Sequence, residues 1–267
     1  MHPVVGVDRA KTNLSGSDDM KFRLVAATLI LACAQSIIGA AVADAGIRHE
    51  KVQFAKGATS VVIKGRVEGD AMVDYVVRAA AGQTLSVKLQ KTNAQNYFNL
   101  LPPESTGSAM FVGDSRENYS GVLASDGDYI VRVYLMRPAA RRGESSDYTL
   151  TIGATGQLLP PITAAKDALL PGTSYHAAAK IKCVPAFETV PRECDAFVIR
   201  RGFDGTATVD VPGSADKRSI LFVKGKPVAS NAQAMDALSS ERKGDTTIVR
   251  LGASERYEIP DVLLTGG

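Results

Sequence analysis

Three arginines, Arg137, Arg141 and Arg142, fall within six residues of the stretch "YLMRPAARRGE", residues 134–144. Arginine is always charged and holds its donors in a planar fork that suits carboxylates and phosphates. Three of them on one short connection repel each other unless an anion is close. Glu144 and Asp147 can supply that anion within the chain, giving a salt-bridged loop. The other reading is a loop that presents one or two guanidiniums to an acidic site on a partner. Tyr97, Asn99 and Tyr134 join the three arginines as candidate partner-binding residues, with Tyr119 as a further exposed-aromatic candidate. In a sheet protein about half of such tyrosines pack inward instead. Arg132 alternates with Val131, Val133 and Leu135 and reads as an ordinary solvent-facing charge.

Catalytic chemistry finds little support. Outside the N-terminal segment the histidines are His49 and His176, and neither has an Asp or Ser partner at a motif spacing. The sequence holds no GxSxG, no HExxH and no Walker loop. Glu68 with Asp70, and Asp126 with Asp128, are carboxylate pairs in glycine-containing turns, and read as solvated turn residues. "SDGD", residues 125–128, supplies too few oxygens for calcium by itself. His176 reads as a surface or hydrogen-bonding residue rather than a metal ligand. The chain is expected to be no enzyme, with no metal and no cofactor.

The elements that position these residues read as all-β. "SVVIKGRV" (60–67), "DYVVRA" (74–79), "QTLSVKLQ" (83–90), "NYFNLL" (96–101), "AMFVG" (109–113), a strand over 129–135 and "DYTLTIGA" (147–154) are separated by turn residues. In the third run Leu85, Val87 and Leu89 alternate with Ser86 and Lys88, the period of a half-buried strand. Many short strands with Gly-rich turns and no amphipathic helix predict a β-sandwich over 48–154. Residues 155–174 carry three prolines and few charges and read as a linker. Residues 175–267 predict a second, smaller β-rich domain: "AFVIRR" (196–201), "GTATVDVP" (205–212), "RSILFVKGKPV" (218–228), a helical or loop excursion over 229–243, "DTTIVRLG" (245–252) and "ERYEIPDVLL" (255–264).

Lys21 and Arg23 precede the apolar run of residues 24–43, which ends Ala41-Val42-Ala43. A basic region, an apolar run and an A-x-A end are the parts of a secretory signal. Residues 1–43 are expected to be an N-terminal extension and signal peptide, with cleavage before Asp44 and a periplasmic product. A retained anchor, or a lipoprotein site at Cys33, are the alternatives. Without this segment Cys183 and Cys194 remain, and an even count in an exported chain predicts a disulfide. No other apolar run is long enough to span a bilayer. The whole chain carries a formal net charge of +3 over 267 residues. That excludes a general nucleic-acid or membrane binder and confines any electrostatic function to a local patch.

The stretch "DGDYIVRVYLMRPAARRGESSDYTLTI", residues 126–152, resembles the C-terminal part of periplasmic inhibitors of g-type lysozyme: Gly-x-Tyr opening a strand, Arg-x-x-Ala-Arg, a charged loop and a Tyr-containing last strand. Gly127, Tyr129, Arg137, Ala140, Arg141 and Tyr148 stand at the matching places. "FAKGATSVVIKGRVEGDAMVDYVVRAAAGQTLSVKL", residues 54–89, looks like the same family's opening, and "NYFNLLPP" resembles its aromatic strand ending in proline. The sandwich also resembles the pre-peptidase C-terminal domain, a secreted binding module. The family resemblance implies a β-sandwich that binds a lysozyme and fills its active-site cleft with loops, Arg137 and Arg141 being the positions carried over. The partner it implies is a g-type lysozyme or another peptidoglycan hydrolase. Arg142 and Pro138 depart from the simple pattern, and residues 175–267 have no counterpart in it. That second half resembles an uncharacterised module of exported proteobacterial proteins. A generic envelope-binding module for glycan or protein is the alternative reading.

Overall fold

The computed structural model describes residues 46–114, 116–213 and 215–266. The expected signal segment, its cleavage point and Cys33 lie outside the described residues. Among the described residues no helix is long and apolar enough to cross a membrane.

The first nine strands make two sheets. β1 (Ile47–Lys51), β3 (Met72–Ala79), β8 (Gly127–Leu135), β5 (Asn96–Leu101) and β6 (Phe111–Val112) lie side by side in that order. β2 (Ser60–Glu68), β9 (Ser145–Thr155), β4 (Thr84–Lys91) and β7 (Asn118–Val122) form the other sheet. All pairings are antiparallel except β1 with β3. Strict alternation builds the core: Leu85, Val87 and Leu89 of β4 and Tyr129, Val131, Val133 and Leu135 of β8 are buried. They pack in one cluster with Tyr75, Phe98, Leu150 and Ile152, side chains from both sheets. This is the β-sandwich that the alternation predicts. Gly65 sits opposite Tyr148 in the ladder, and a Cβ there would meet the Tyr148 ring at 2.5 Å. The ring needs that space to reach the Tyr75 hydroxyl, 2.8 Å from its own.

The remaining strands form one curled sheet. β10 (Ala177–Val184), β11 (Arg192–Arg200), β12 (Ala207–Pro212), β13 (Lys217–Val223), β14 (Lys226–Ser230), β15 (Leu238–Lys243), β16 (Thr246–Leu251) and β17 (Glu255–Pro260) follow an up-and-down path. The first strand pairs with the last, so the sheet order runs β14-β13-β12-β11-β10-β17-β16-β15. The edges β14 and β15 approach each other, which makes the sheet a near-barrel. A barrel of this size is filled by its own side chains. Ile181, Val198, Val209, Phe222, Val249 and Tyr257 fill this one, with Leu263 and Leu264 of the short helix α2 (Asp261–Thr265). The Cys183–Cys194 disulfide is present and buried inside the same core.

One expectation about elements is corrected, and two features are added to it. The excursion over 229–243 carries strands, β14 ending at Ser230 and β15 beginning at Leu238. β1 and β7, which lack a clear apolar alternation, are also present. The proline-rich stretch after β9 has no regular element, yet its backbone is pinned. Leu159 N–H donates to the Ala81 carbonyl and Ile162 N–H to the Arg200 carbonyl. His176, buried, accepts from Arg200 N–H at Nδ1, while its Nε2 lies 2.9 Å from the Ile162 carbonyl, the hydrogen-bonding role that its sequence context allows.

Sandwich and near-barrel meet along a seam. Ala81 and Ala124 pack against Leu221 and Ala229. Arg201, its side chain wholly buried, pairs with Asp126 at 2.8 Å and also donates to the Leu159 carbonyl and the Thr208 hydroxyl. The Thr208 hydroxyl in turn donates to the Ala124 carbonyl. Asp126 is therefore no solvated turn residue: its other oxygen accepts from Ala81 N–H. Farther along, Asp216 accepts from Ser105 and Thr106, and Lys217 pairs with Glu104 at 2.9 Å.

Candidate functional site

β8 carries its seam end at Gly127 and its other end at Leu135, about 30 Å away for nine extended residues. The arginine-rich stretch follows at that far end. It is a helical turn, α1 (Arg137–Arg141), rather than the open loop expected from sequence. Pro138 sits in the first turn, where its missing N–H costs nothing. Ala139 and Ala140 are buried in the sandwich core and anchor the turn. Gly143, at φ +67°, ends it in the left-handed conformation that glycine takes without strain, its N–H donating to the Ala140 carbonyl. With the alanines turned in, Arg137 and Arg141 are left outside, both exposed. Four residues apart on a helix, they share one face, where like charges repel.

The internal salt-bridge reading holds for one arginine of the three. Arg142 Nε donates to Glu144 Oε1 at 2.6 Å. Glu144 has its carboxyl pKa lowered, first by the Asn93 side-chain amide and then by Arg142. Asp147 is taken by Arg66 at 3.3 Å. Arg137 and Arg141 have no ion-pair, hydrogen-bond or ring partner among the described residues. Every other described arginine has a carboxylate, or for Arg116 the Phe111 ring.

Beside the helical turn the outward face of the first sheet forms a groove of about 450 Å³. Arg137 and Pro138 line one side; Met72, Asn99, Arg132 and Tyr134 lie opposite, with the exposed carboxylate of Asp70 also on the lining. Cross-strand register brings these together: Asn99 faces Arg132, and Tyr134 faces both Tyr97 and Met72. Tyr134 donates to Asn99 Oδ1 at 3.2 Å, and burial raises its phenol pKa. Tyr97 carries Lys91 Nζ 4.3 Å above its ring. The groove thus gathers Arg137, Asn99 and Tyr134, with Tyr97 next in register. Arg141 stands one helical turn farther on, and Arg142 is engaged elsewhere. Tyr119 is not in this set: it packs partly buried against the core, edge-on to Phe111, and burial pushes its pKa up to about 12.

Arg132 is corrected from its sequence reading. Its Nε and Nη2 donate to the two oxygens of Asp74 at 2.7 and 2.8 Å, and Asp74 is completely buried. The bidentate hydrogen bonds raise the arginine's pKa. His49 Nδ1 lies 3.6 Å from the same carboxylate. This ladder across β1, β3 and β8 stiffens the groove floor. The only sequence trace of it is a carboxylate inside the apolar run "MVDYVVRA". With Arg132 neutralised by Asp74, the groove has the guanidinium of Arg137 on one side and the carboxylate of Asp70 on its lining, so an acidic group would be received at the Arg137 side.

No protein-family signature matches the chain, and no curated protein does. Solved structures do. The periplasmic inhibitor of g-type lysozyme from Aeromonas hydrophila is 34% identical over 41% of this chain and 98% of its own, with a TM-score of 0.40. A mutant of the Escherichia coli inhibitor is 25% identical over 42% of this chain and all of its own, with a TM-score of 0.33. The pre-peptidase C-terminal domain of Bacillus anthracis collagenase is 14% identical over 41% of this chain and 94% of its own, with a TM-score of 0.29. Over about two-fifths of its length this chain is thus similar to periplasmic inhibitors of g-type lysozyme, the family that its sequence resembles.

Proposed function

We propose that the protein is a periplasmic inhibitor of a g-type lysozyme or related cell-wall hydrolase, and that the α1 end of the sandwich is its binding end. Residues 48–154 would be the inhibitory unit. The observation that carries this reading is the pair Arg137 and Arg141, unpaired on one face while the other described arginines are engaged. An exposed like-charge pair destabilises its own helix, so its use lies with an anion brought from outside. A lysozyme cleft supplies one, because it holds a catalytic carboxyl group. Burying a guanidinium against that carboxylate gives a charge-assisted, geometrically specific contact. Arg137 would enter the cleft with Tyr134, Asn99 and Tyr97 packing at its rim, and Arg141 and Arg142 would contact the rim's acidic groups. The chain's own role is occlusion, with no catalysis. The apolar N-terminal run and the periplasmic origin given for the matching inhibitors support export.

The test is lysis of a cell-wall suspension by a g-type lysozyme with increasing amounts of the protein. Inhibition at sub-micromolar concentration, lost in Arg137→Ala/Arg141→Ala with the circular dichroism spectrum unchanged, is the expected result. No inhibition at tens of micromolar would overturn it and leave an envelope-binding module in its place.

A further inference from the structure

The near-barrel carries an aromatic side chain where its fold does not call for one. Along β11 the residues Cys194, Ala196 and Val198 turn into the barrel core, so Phe197 turns outward. It is partly buried, with the Tyr175 ring centroid 5.1 Å away at 37°. The two rings border a groove of about 490 Å³, within the ordinary range of about 300–1,000 Å³ for small-molecule sites. Asp195, Asp210, Asp216 and Lys217 are the charged residues of its lining, and residues 211–213 and 215 supply further backbone and small side chains.

The charges around this groove are already spoken for. Asp195 pairs with Lys180 at 2.6 Å. Asp210, buried, accepts from the Tyr175 and Ser219 hydroxyls and lies 3.2 Å from Lys217 Nζ. Lys217 also pairs with Glu104, and Asp216 is held by Ser105 and Thr106. An ionic ligand would have to break one of these pairs. What the groove has to spare is the electron-rich faces of two rings and the remaining lone pairs of carboxylates, which are acceptors only. A ligand matching both offers polarised C–H groups on a flat face and hydroxyl donors around its edge. A neutral pyranose ring does so.

We propose that the Tyr175–Phe197 groove binds a neutral saccharide, one sugar ring lying against Phe197 with its hydroxyls donating to Asp195 and Asp210. Tyr175 is both wall and brace: its hydroxyl fixes the Asp210 carboxylate that it faces. The site lies on the near-barrel and does not depend on the inhibitory reading of the sandwich.

The probe is the β-1,4-linked tetrasaccharide of N-acetylglucosamine, titrated into the ¹⁵N-labelled full chain, with maltotetraose and n-butylamine in parallel. The expected result is saturable amide shifts at Tyr175, Phe197 and Asp210 with one or both sugars, at the millimolar affinity usual for a shallow site. Phe197→Leu keeps an apolar side chain and removes the flat ring; it should weaken binding about tenfold or more. Asp195→Lys, at an exposed position, should weaken it without touching the core. Circular dichroism confirms that both variants fold. No saturable shift with either sugar, shifts elsewhere, undiminished binding by both variants, or saturation by butylamine alone would each overturn the proposal. Both variants should inhibit lysozyme as well as the parent protein, so the two readings fail separately.

Discussion

Arginine does opposite work at the two ends of the sandwich. At the seam, Arg201 is buried and divides its donors among Asp126, the Leu159 carbonyl and Thr208. At the far end of β8, Arg137 and Arg141 stand exposed with no partner among the described residues. A buried guanidinium that lost its partners would leave unpaired charge in low dielectric, so the fold gives it several. An exposed one is solvated and can be kept without any. The difference separates arginines that hold the protein together from arginines that the fold leaves to solvent. Each prediction below presses on that difference.

The largest effect on stability belongs to the seam. Arg201→Leu leaves Asp126 unpaired and takes a donor from both the Leu159 carbonyl and Thr208. It should cost about 3 kcal/mol and lower Tm by roughly 6–12 °C. Hydrogen exchange should quicken at Leu159, whose N–H donates to the Ala81 carbonyl across the seam. An unchanged Tm would mean that the small-residue contacts of Ala81, Ala124 and Ala229 carry the seam by themselves.

Removing the disulfide comes next. Cys183 and Cys194 close a loop with a sequence separation of 11. Cys183→Ser/Cys194→Ser should cost about 2–3 kcal/mol, read as a lower denaturant midpoint. Because the pair is buried in the near-barrel, the inhibition proposed for the sandwich end should survive. A variant that lost inhibition along with stability would argue that the two ends are not separable.

Strong acid should loosen one contact of the seam, at Asp216. Burial works against the Asp216 carboxylate, but hydrogen bonds from Thr106 and Ser105 bring its pKa down to about 2 from 3.8. A carboxylate with a lowered folded pKa stabilises the protein above its unfolded value. That contribution fades as pH falls from about 4 and is gone below about 2. Exchange protection of the Thr106 amide should fall over that window, while Asp216→Asn should show weaker protection at neutral pH and no step. Salt should matter little to the Thr106 contact, which is made by neutral donors.

Much of this was legible from sequence where a local rule applied. β4, β5, β8 and β9 announce themselves by alternation, and the arginine stretch by charge density. What was hidden depends on partners far along the chain. Asp74 and Arg132 are 58 residues apart and meet only through the β3–β8 register, so Arg132 looked like an ordinary surface charge. Arg201 and Asp126, 75 residues apart, meet only when the two sheet systems dock. β15, "LSSERK", is polar and almost wholly exposed, an edge strand made by its pairing with β16 rather than by its own pattern. The helical form of α1 was hidden because five residues are too few to show a period, and its two alanines gave no sign of facing inward.

The smallest predicted change is the one that bears most directly on the free arginines. If Arg137 and Arg141 repel each other across one helical turn, Arg141→Gln should leave stability unchanged or raise it by about 0.2–0.5 kcal/mol at low salt. The gain should shrink as salt screens the repulsion, since the Debye length falls to about 10 Å at 0.1 M. Part of it is offset, because Arg141 sits in the last turn where a cation is favoured by the helix dipole. Arg137→Gln lacks that offset and should gain slightly more. Arg142→Gln should behave differently again, losing the Glu144 contact and gaining nothing. Chemical denaturation of the three variants at two ionic strengths resolves the order. If Arg137→Gln proved clearly destabilising, the guanidinium would have a partner within the chain, and the groove beside it would be closed by the protein itself.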